Sequence, residues 1–104
     1  MDGEDTVALL TPAREGGLDD VLAAALGRGA VRLVVDLTDA GPLDGRTLRT
    51  LVLGDHAARD RDGRLVVLCP AGPARATLCA TGLDGPLTVT DTRALAERAA
   101  RSAT

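Results

Sequence analysis

The sequence predicts a single α/β domain in which a mostly parallel sheet of four to five strands alternates with helices. Three observations carry that reading. Runs of β-branched and leucine residues recur at 31–37 and 64–69, the pattern of strands covered on both faces. Between them lie segments whose apolar residues repeat at helical spacing. The two kinds of segment alternate through four βα repeats with short connections, as crossovers between parallel strands require.

Thr6 to Leu10 makes a short first strand, and Pro12 with Gly16 and Gly17 marks the loop after it. Leu18, Val21, Leu22, Ala25 and Leu26 then fall at i, i+3, i+4, i+7 and i+8 on one helical face, with Gly27 as a C-terminal stop. Val31 to Leu37 is the expected central strand. After the loop from Thr38 to Leu43, a second helix starts near Asp44. It turns Leu48, Leu51, Val52 and Ala58 inward and Arg49, His56 and Asp60 outward, and ends at Asp62 and Gly63. Arg64 to Cys69 repeats the buried-strand pattern. Pro70-Ala71-Gly72-Pro73 leads into a third helix, since proline suits the first helical position. Ala74, Thr77, Leu78 and Thr81 share a face of that helix, Cys79 lies on another, and Gly82 closes it. Leu87 to Thr90 is a last short strand, and Asp91 is placed to cap a final helix carrying Leu95, Ala96 and Ala99.

With 104 residues there is room for one core, so one domain is expected over 1–104, with its core at about 5–100. Phe, Tyr, Trp, Lys, Asn, Gln and Ile are all absent, and every basic residue is one of twelve arginines. The core must therefore be built from Leu, Val and Ala. Apart from Trp, the missing types are encoded mainly by AT-rich codons, so a GC-rich genome accounts for the arginine bias. A net charge of −3 with no basic run speaks against nucleic acid as a partner. No apolar stretch approaches eighteen residues and the N-terminus Met1-Asp2-Gly3-Glu4-Asp5 is acidic. Neither a membrane span nor a secretory signal is expected, and the protein reads as cytoplasmic.

Chemistry is scarce. Without Lys there is no phosphate-binding loop of the lysine type and no Schiff base; without Tyr, and with Ser only at position 102, nucleophiles reduce to Thr and Cys. His56 is the sole imidazole and its helical phase puts it on the solvent side. Cys69 and Cys79 have no CxxC spacing, so no metal and no cofactor is expected and the thiols read as structural. Asp36, Asp39 and Asp44 gather at the carboxyl end of the central strand, where open α/β sheets bind ligands and where carboxylates could hold Mg²⁺ beside a phosphate. Ending a strand, sitting in a turn and capping a helix are ordinary roles for aspartate, and that plainer reading is preferred. The helix start from Asp44 to Leu48 presents free backbone N–H groups and a positive dipole end, which favour an anion. No enzyme is expected.

The order of elements and several short motifs resemble the STAS domain of anti-sigma factor antagonists. Val34-Val35-Asp36-Leu37-Thr38 is similar to the family's "vvDls" strand. Leu43-Asp44-Gly45-Arg46-Thr47-Leu48-x-x-Leu51 is similar to its "iDSSGlxxL" turn and helix. Gly63-Arg64-Leu65-Val66-Val67-Leu68 resembles the next strand, and Leu78-Cys79-Ala80-Thr81-Gly82-Leu83 resembles "lLeltGl". The last strand and the helix after it also fit, so the likeness covers nearly the whole chain, with a shorter N-terminal strand region.

In that family a kinase that is also the anti-sigma factor binds around this helix start and phosphorylates the second hydroxyl residue after the Asp. Carried over, Gly45 takes the first Ser position, Arg46 the phosphoacceptor position and Thr47 the Gly position. Arginine cannot accept phosphate, so the resemblance implies an altered switch. One outcome is that Thr47 is the acceptor, displaced by a helix step of about 100°. The other, preferred, is a domain that binds its partner unswitched, with Arg46 pairing a carboxylate on that partner. The implied contact surface runs from Asp39 to Leu51. Apolar contact is expected near Leu43 and Leu48, ringed by Asp44, Arg46 and Arg49, with Asp39, Gly45 and Thr47 beside them. Two alternatives stay open: the small STAS subunit of a lipid-transporting ATP-binding-cassette system, docking its ATPase by the same surface, and a non-catalytic anion or nucleotide sensor.

Overall fold

In the computed structural model, which describes residues 7–12 and 17–101, four strands alternate with four helices. In chain order they are β1 (Ala8–Leu10), α1 (Leu18–Gly27), β2 (Arg32–Asp36), α2 (Gly45–Arg59), β3 (Arg64–Leu68), α3 (Pro73–Thr81), β4 (Thr88–Thr90) and α4 (Arg93–Arg101). All three strand pairs are parallel, and the spatial order β1-β2-β3-β4 is the chain order. Because that order never reverses, the sheet lacks the switch-point crevice that holds cofactors in doubly wound folds. Successive crossovers of one hand instead lay α1, α2 and α3 on the same face.

The two central strands explain the layering. Leu33 and Val35 of β2 and Leu65 and Val67 of β3 are fully shielded on the upper face, packed with Leu18, Val21, Leu22 and Ala25 of α1, Leu51 and Ala58 of α2, and Ala74 and Leu78 of α3. Their alternate neighbours Val34, Val66 and Leu68 point to the lower face, where α4 covers them with buried Ala96 and Ala100 and half-buried Ala99. Alanines at i and i+4 let α4 lie close to the sheet, and Arg32 donates from its guanidinium to the Ala100 carbonyl at 2.9 Å, tying the end of α4 to the start of β2.

Most expected elements stand within two residues of their predicted ends. Thr6 and residues 13–16 of the first loop lie outside the described residues, as does Ser102. Gly27 is still helical, and the left-handed residue that ends the turn is Gly29 at φ +90°. The second helix ends at Arg59, before the expected Asp62 and Gly63. The chain leaves it through Asp62 in the left-handed region, with the Gly63 amide donating to Ala58 O at 2.8 Å. Leu51 and Ala58 are buried as expected, Leu48 and Val52 only half so, and Gly54 and Asp55 join the inner face. Asp55 is tolerated there because Arg59, one turn on, reaches its carboxylate at 3.1 Å.

The last helix departs most from expectation. Leu95 is 48% exposed while Ala96 and Ala100 face the sheet. Thr92, not Asp91, caps the helix, its hydroxyl accepting the Leu95 amide at 3.3 Å. Asp91 is held by Arg75 at 2.6 Å, a contact between residues sixteen apart that overrides the local cap.

Gly63 is needed for space. A Cβ built there would stand 2.0 Å from the Val31 carbonyl oxygen, the atom that accepts the Arg64 amide at 2.8 Å and opens the β2–β3 ladder. Gly63→Ala is therefore expected to lower unfolding stability by about 1–3 kcal/mol in a urea titration. Gly45→Ala, with nothing within 4 Å of the new Cβ, should stay within about 0.5 kcal/mol of wild type. Equal midpoints for the two variants would contradict the packing described.

Candidate partner-binding site at the start of the second helix

The loop from β2 to α2 is fixed by a sequence of short-range bonds. The Leu37 amide extends the β2–β3 ladder by donating to Leu68 O at 2.8 Å. Asp36 then accepts both the Thr38 amide, at 2.9 Å, and the Thr38 hydroxyl, so its carboxylate closes a local turn. Ala40 donates to Leu37 O at 3.0 Å, and the Leu43 amide reaches the Thr77 hydroxyl of α3 at 3.4 Å. Leu37 is buried and Leu43 packs against the main core, so the loop is anchored by two leucines while Asp39 and Gly41 stand out in solvent.

Asp44 is extended and caps α2, its Oδ1 accepting the Thr47 amide at 2.8 Å. The Thr47 amide, and then its hydroxyl, hold the Asp44 carboxyl below its ordinary value, with the Arg46 charge adding to the effect. The Gly45 and Arg46 amides precede the capped one and open outward at the positive end of the helix dipole. Between this loop and the chain before α1 lies a crevice of about 310 Å³, walled by Pro12, Leu18, Leu37, Pro42, Leu43 and Thr47.

Arg46 is 83% exposed and reaches across to α1. Its Nε and Nη2 each lie 3.1 Å from Oδ2 of Asp19, whose Oδ1 accepts the Thr50 hydroxyl. Asp19 sits in the acidic first turn of a helix that has no side-chain cap, where a carboxylate complements the dipole. The Thr50 hydroxyl first, and then Arg46 by hydrogen bond and charge, lower its pKa, while the nearby Asp44 charge works the other way. Arg49 is exposed and has no hydrogen-bond or ion-pair partner among the described residues.

No family model matches the chain, and no curated protein matches it in sequence. Among solved structures, the crystal structure of a candidate anti-sigma factor antagonist from Thermotoga maritima is similar to it, with a TM-score of 0.77 and 18% sequence identity. The similarity covers 98% of this chain and 91% of that one. The fold is STAS-like. At 18% identity the likeness speaks for the fold, and what the site does rests on its own residues.

On this STAS-like fold, the eight residues singled out around the helix start do share one end of the molecule, but they are not equally available. Asp39, Asp44, Gly45, Arg46 and Arg49 are exposed, whereas Leu43, Thr47 and Leu48 are half-buried, the two leucines against the chain's own core. Of the three aspartates, Asp36 and Asp44 line the same crevice but are each already engaged, Asp36 by Thr38 and Asp44 by Thr47, and Asp39 is not part of its wall. Among the described residues no group of three His, Cys, Asp or Glu side chains is placed to hold a metal. His56 is exposed. Both cysteines are free, and burial pushes the Cys69 thiol above its ordinary value. No helix among the described residues is long and apolar enough to cross a membrane.

Sequence reasoning missed the groove between α1 and α2, a volume of about 650 Å³ beside Arg46. Its signal was Leu53, an isolated leucine off the inward stripe of α2, which is 57% exposed. Also missed was the Arg75 cluster at the other end of the sheet's C-terminal edge. There the guanidinium joins the Cys69 carbonyl to Asp91, and Arg75 Nε and Thr90 Oγ1 are buried without partners.

Asp44→Ala should lower the thermal midpoint, and Asp44→Asn, which still caps, should lower it less. Asp19 and Asp44 both have depressed pKa values in the folded state, so their stabilisation is complete above the unfolded carboxylate range and is lost as pH falls through the folded values. Thermal melts should show the wild-type midpoint falling below about pH 4, with a shallower fall in Asp19→Asn/Asp44→Asn. Superimposable pH profiles would remove this account of the helix start.

Proposed function

We propose that the protein is a non-catalytic interaction regulator of the anti-sigma factor antagonist type, acting in the cytoplasm. It docks an anti-sigma factor of the serine-kinase-like kind through the surface from Asp39 to Leu51, without being switched by phosphate. The observation that carries this reading is the exposed guanidinium of Arg46 at the start of α2, on a STAS-like fold, where the resemblance places a modifiable alcohol. A protruding loop, a crevice with apolar walls and a ring of Asp44, Arg46 and Arg49 give such a partner both apolar contact and charged register.

Thr47 is a poor substitute acceptor. Its hydroxyl and amide are both turned to the Asp44 carboxylate. A phosphate on it would carry a charge of about −2 against that carboxylate and displace the cap, although the helix dipole alone would favour it. The absence of enzymatic activity is supported by the inventory of groups. His56, the one imidazole in the chain, hydrogen-bonds no hydroxyl or thiol among the described residues, so no nucleophile there is activated by an imidazole.

The test is to mix the purified protein with a panel of anti-sigma factor kinases and ATP. A stoichiometric complex is expected, with no phosphate on the chain by intact mass. Arg46→Glu should weaken that complex by at least about tenfold while the circular dichroism spectrum is unchanged. Arg46→Ser, which restores an alcohol, should become a phosphate acceptor for the same kinase. Stoichiometric phosphate on Thr47 of the wild type would overturn the unswitched reading, and an unchanged affinity for Arg46→Glu would overturn the surface.

A further inference from the structure

We propose that the groove between α1 and α2 seats an amphipathic helix of a partner protein, laid with its apolar face along Ala23, Leu26 and Leu53 and with a carboxylate at one end against Arg49. The inference does not need the anti-sigma reading: Ala23, Leu26 and Leu53 lie outside the surface from Asp39 to Leu51, only the arginine end is shared with it, and Leu53→Asp alters the groove alone.

The two helices that form the groove run in the same direction. Asp19 meets Arg46 near their starts, and further along Leu22 Cδ1 lies 3.0 Å from where a Cβ on Gly54 would stand. Gly54 lets the helices close there, so the adjacent Leu53 stands clear of the contact, 57% exposed. The groove is therefore graded along its length. Its first part carries Asp19, Arg46 and Arg49, and its far part is lined by Leu22, Leu26 and Leu53.

The charged end selects the occupant. Two guanidiniums face one carboxylate in the lining, and that carboxylate is already engaged by Arg46 and Thr50, which leaves Arg49 as an unmatched cation. An acidic group on the occupant completes the balance. A second copy of this chain docking groove to groove would bring the same excess of cation and leave Arg49 unmatched on both sides, so self-docking is disfavoured. With α1 ten residues long, the trough is about 15 Å in length, the span of nearly three helical turns. It is open along its top, which suits a helix presenting i, i+3 or i+4, and i+7 anchors better than a ligand that needs enclosure.

The experiment is selection from a displayed library of helical peptides, about 15 residues long, against the full chain. Amide shift mapping of the complex and affinities for two variants would follow. Leu53→Asp alters an exposed side chain and Arg49→Glu an unpaired one, so both keep the fold, which circular dichroism checks. The expected peptides carry Asp or Glu at one end and apolar residues at helical spacing, and their shifts fall on α1 and on α2 up to Asp55. Leu53→Asp should cost at least about tenfold in affinity. Arg49→Glu should cost a similar factor that is regained when the peptide acid is changed to Arg. Recovered peptides with no acidic end, or shifts that map elsewhere, overturn the proposal. So does concentration-dependent self-association that Leu53→Asp abolishes, which would make a second copy the occupant. Saturable binding of dodecanoate at these residues, with no peptide recovered, would make it a lipid-type site and equally overturn it.

Discussion

The constraint on which the rest of the molecule depends is that β2 and β3 are buried on both faces without a single aromatic side chain to fill the layers. Leu and Val supply the bulk, and Ala supplies closeness: Ala25, Ala58 and Ala74 on the upper face, Ala96 and Ala100 on the lower. Helices covered in this way must approach the sheet and each other tightly to reach interior density. On the crowded upper face, three helices share the room, and at Gly54 a Cβ would stand 3.0 Å from both Leu22 of α1 and Leu65 of β3. The same closeness brings Asp19 within reach of Arg46, so the electrostatics of the helix start follow from an aliphatic core.

Legibility followed from how local each determinant is. Strands buried on both faces declare themselves by uninterrupted apolar runs, and the cap at Asp44, the first-turn proline at Pro73 and the left-handed stop at Gly82 depend on residues within a turn of the boundary, so the sequence shows them. Asp91 was misread because its choice between capping α4 and binding Arg75 is settled by α3, sixteen residues away. Of the apolar residues the last helix carries, the sheet accepts alanine rather than the more apolar Leu95, because its lower face is already filled by Val34, Val66 and Leu68. At the site, the cap at Asp44 and the outward position of Arg46 were accessible to helical phase. The bond from Arg46 to Asp19 was not, because it depends on the rotation of α1 about its own axis against α2, which only the packed core sets.

That bond changes how the arginine is to be understood. Asp19 and Asp44 flank the position from two different helices, both influenced by the charge of Arg46 and Asp19 also by that of Asp44. An alcohol in place of Arg46 would leave two carboxylates without their shared counter-charge, and a phosphate on it would stand between them. The guanidinium is thus a group that suits the field this fold creates there. Nor does its pairing with Asp19 withdraw it from a partner. Both side chains are in water, where such pairs are weak and screened. If a partner's carboxylate draws Arg46 away, Asp19 keeps the Thr50 hydroxyl as a donor and remains hydrated. The exchange leaves no buried charge behind, so an arginine held this loosely can serve its own chain in the free state and a docking carboxylate in the bound one.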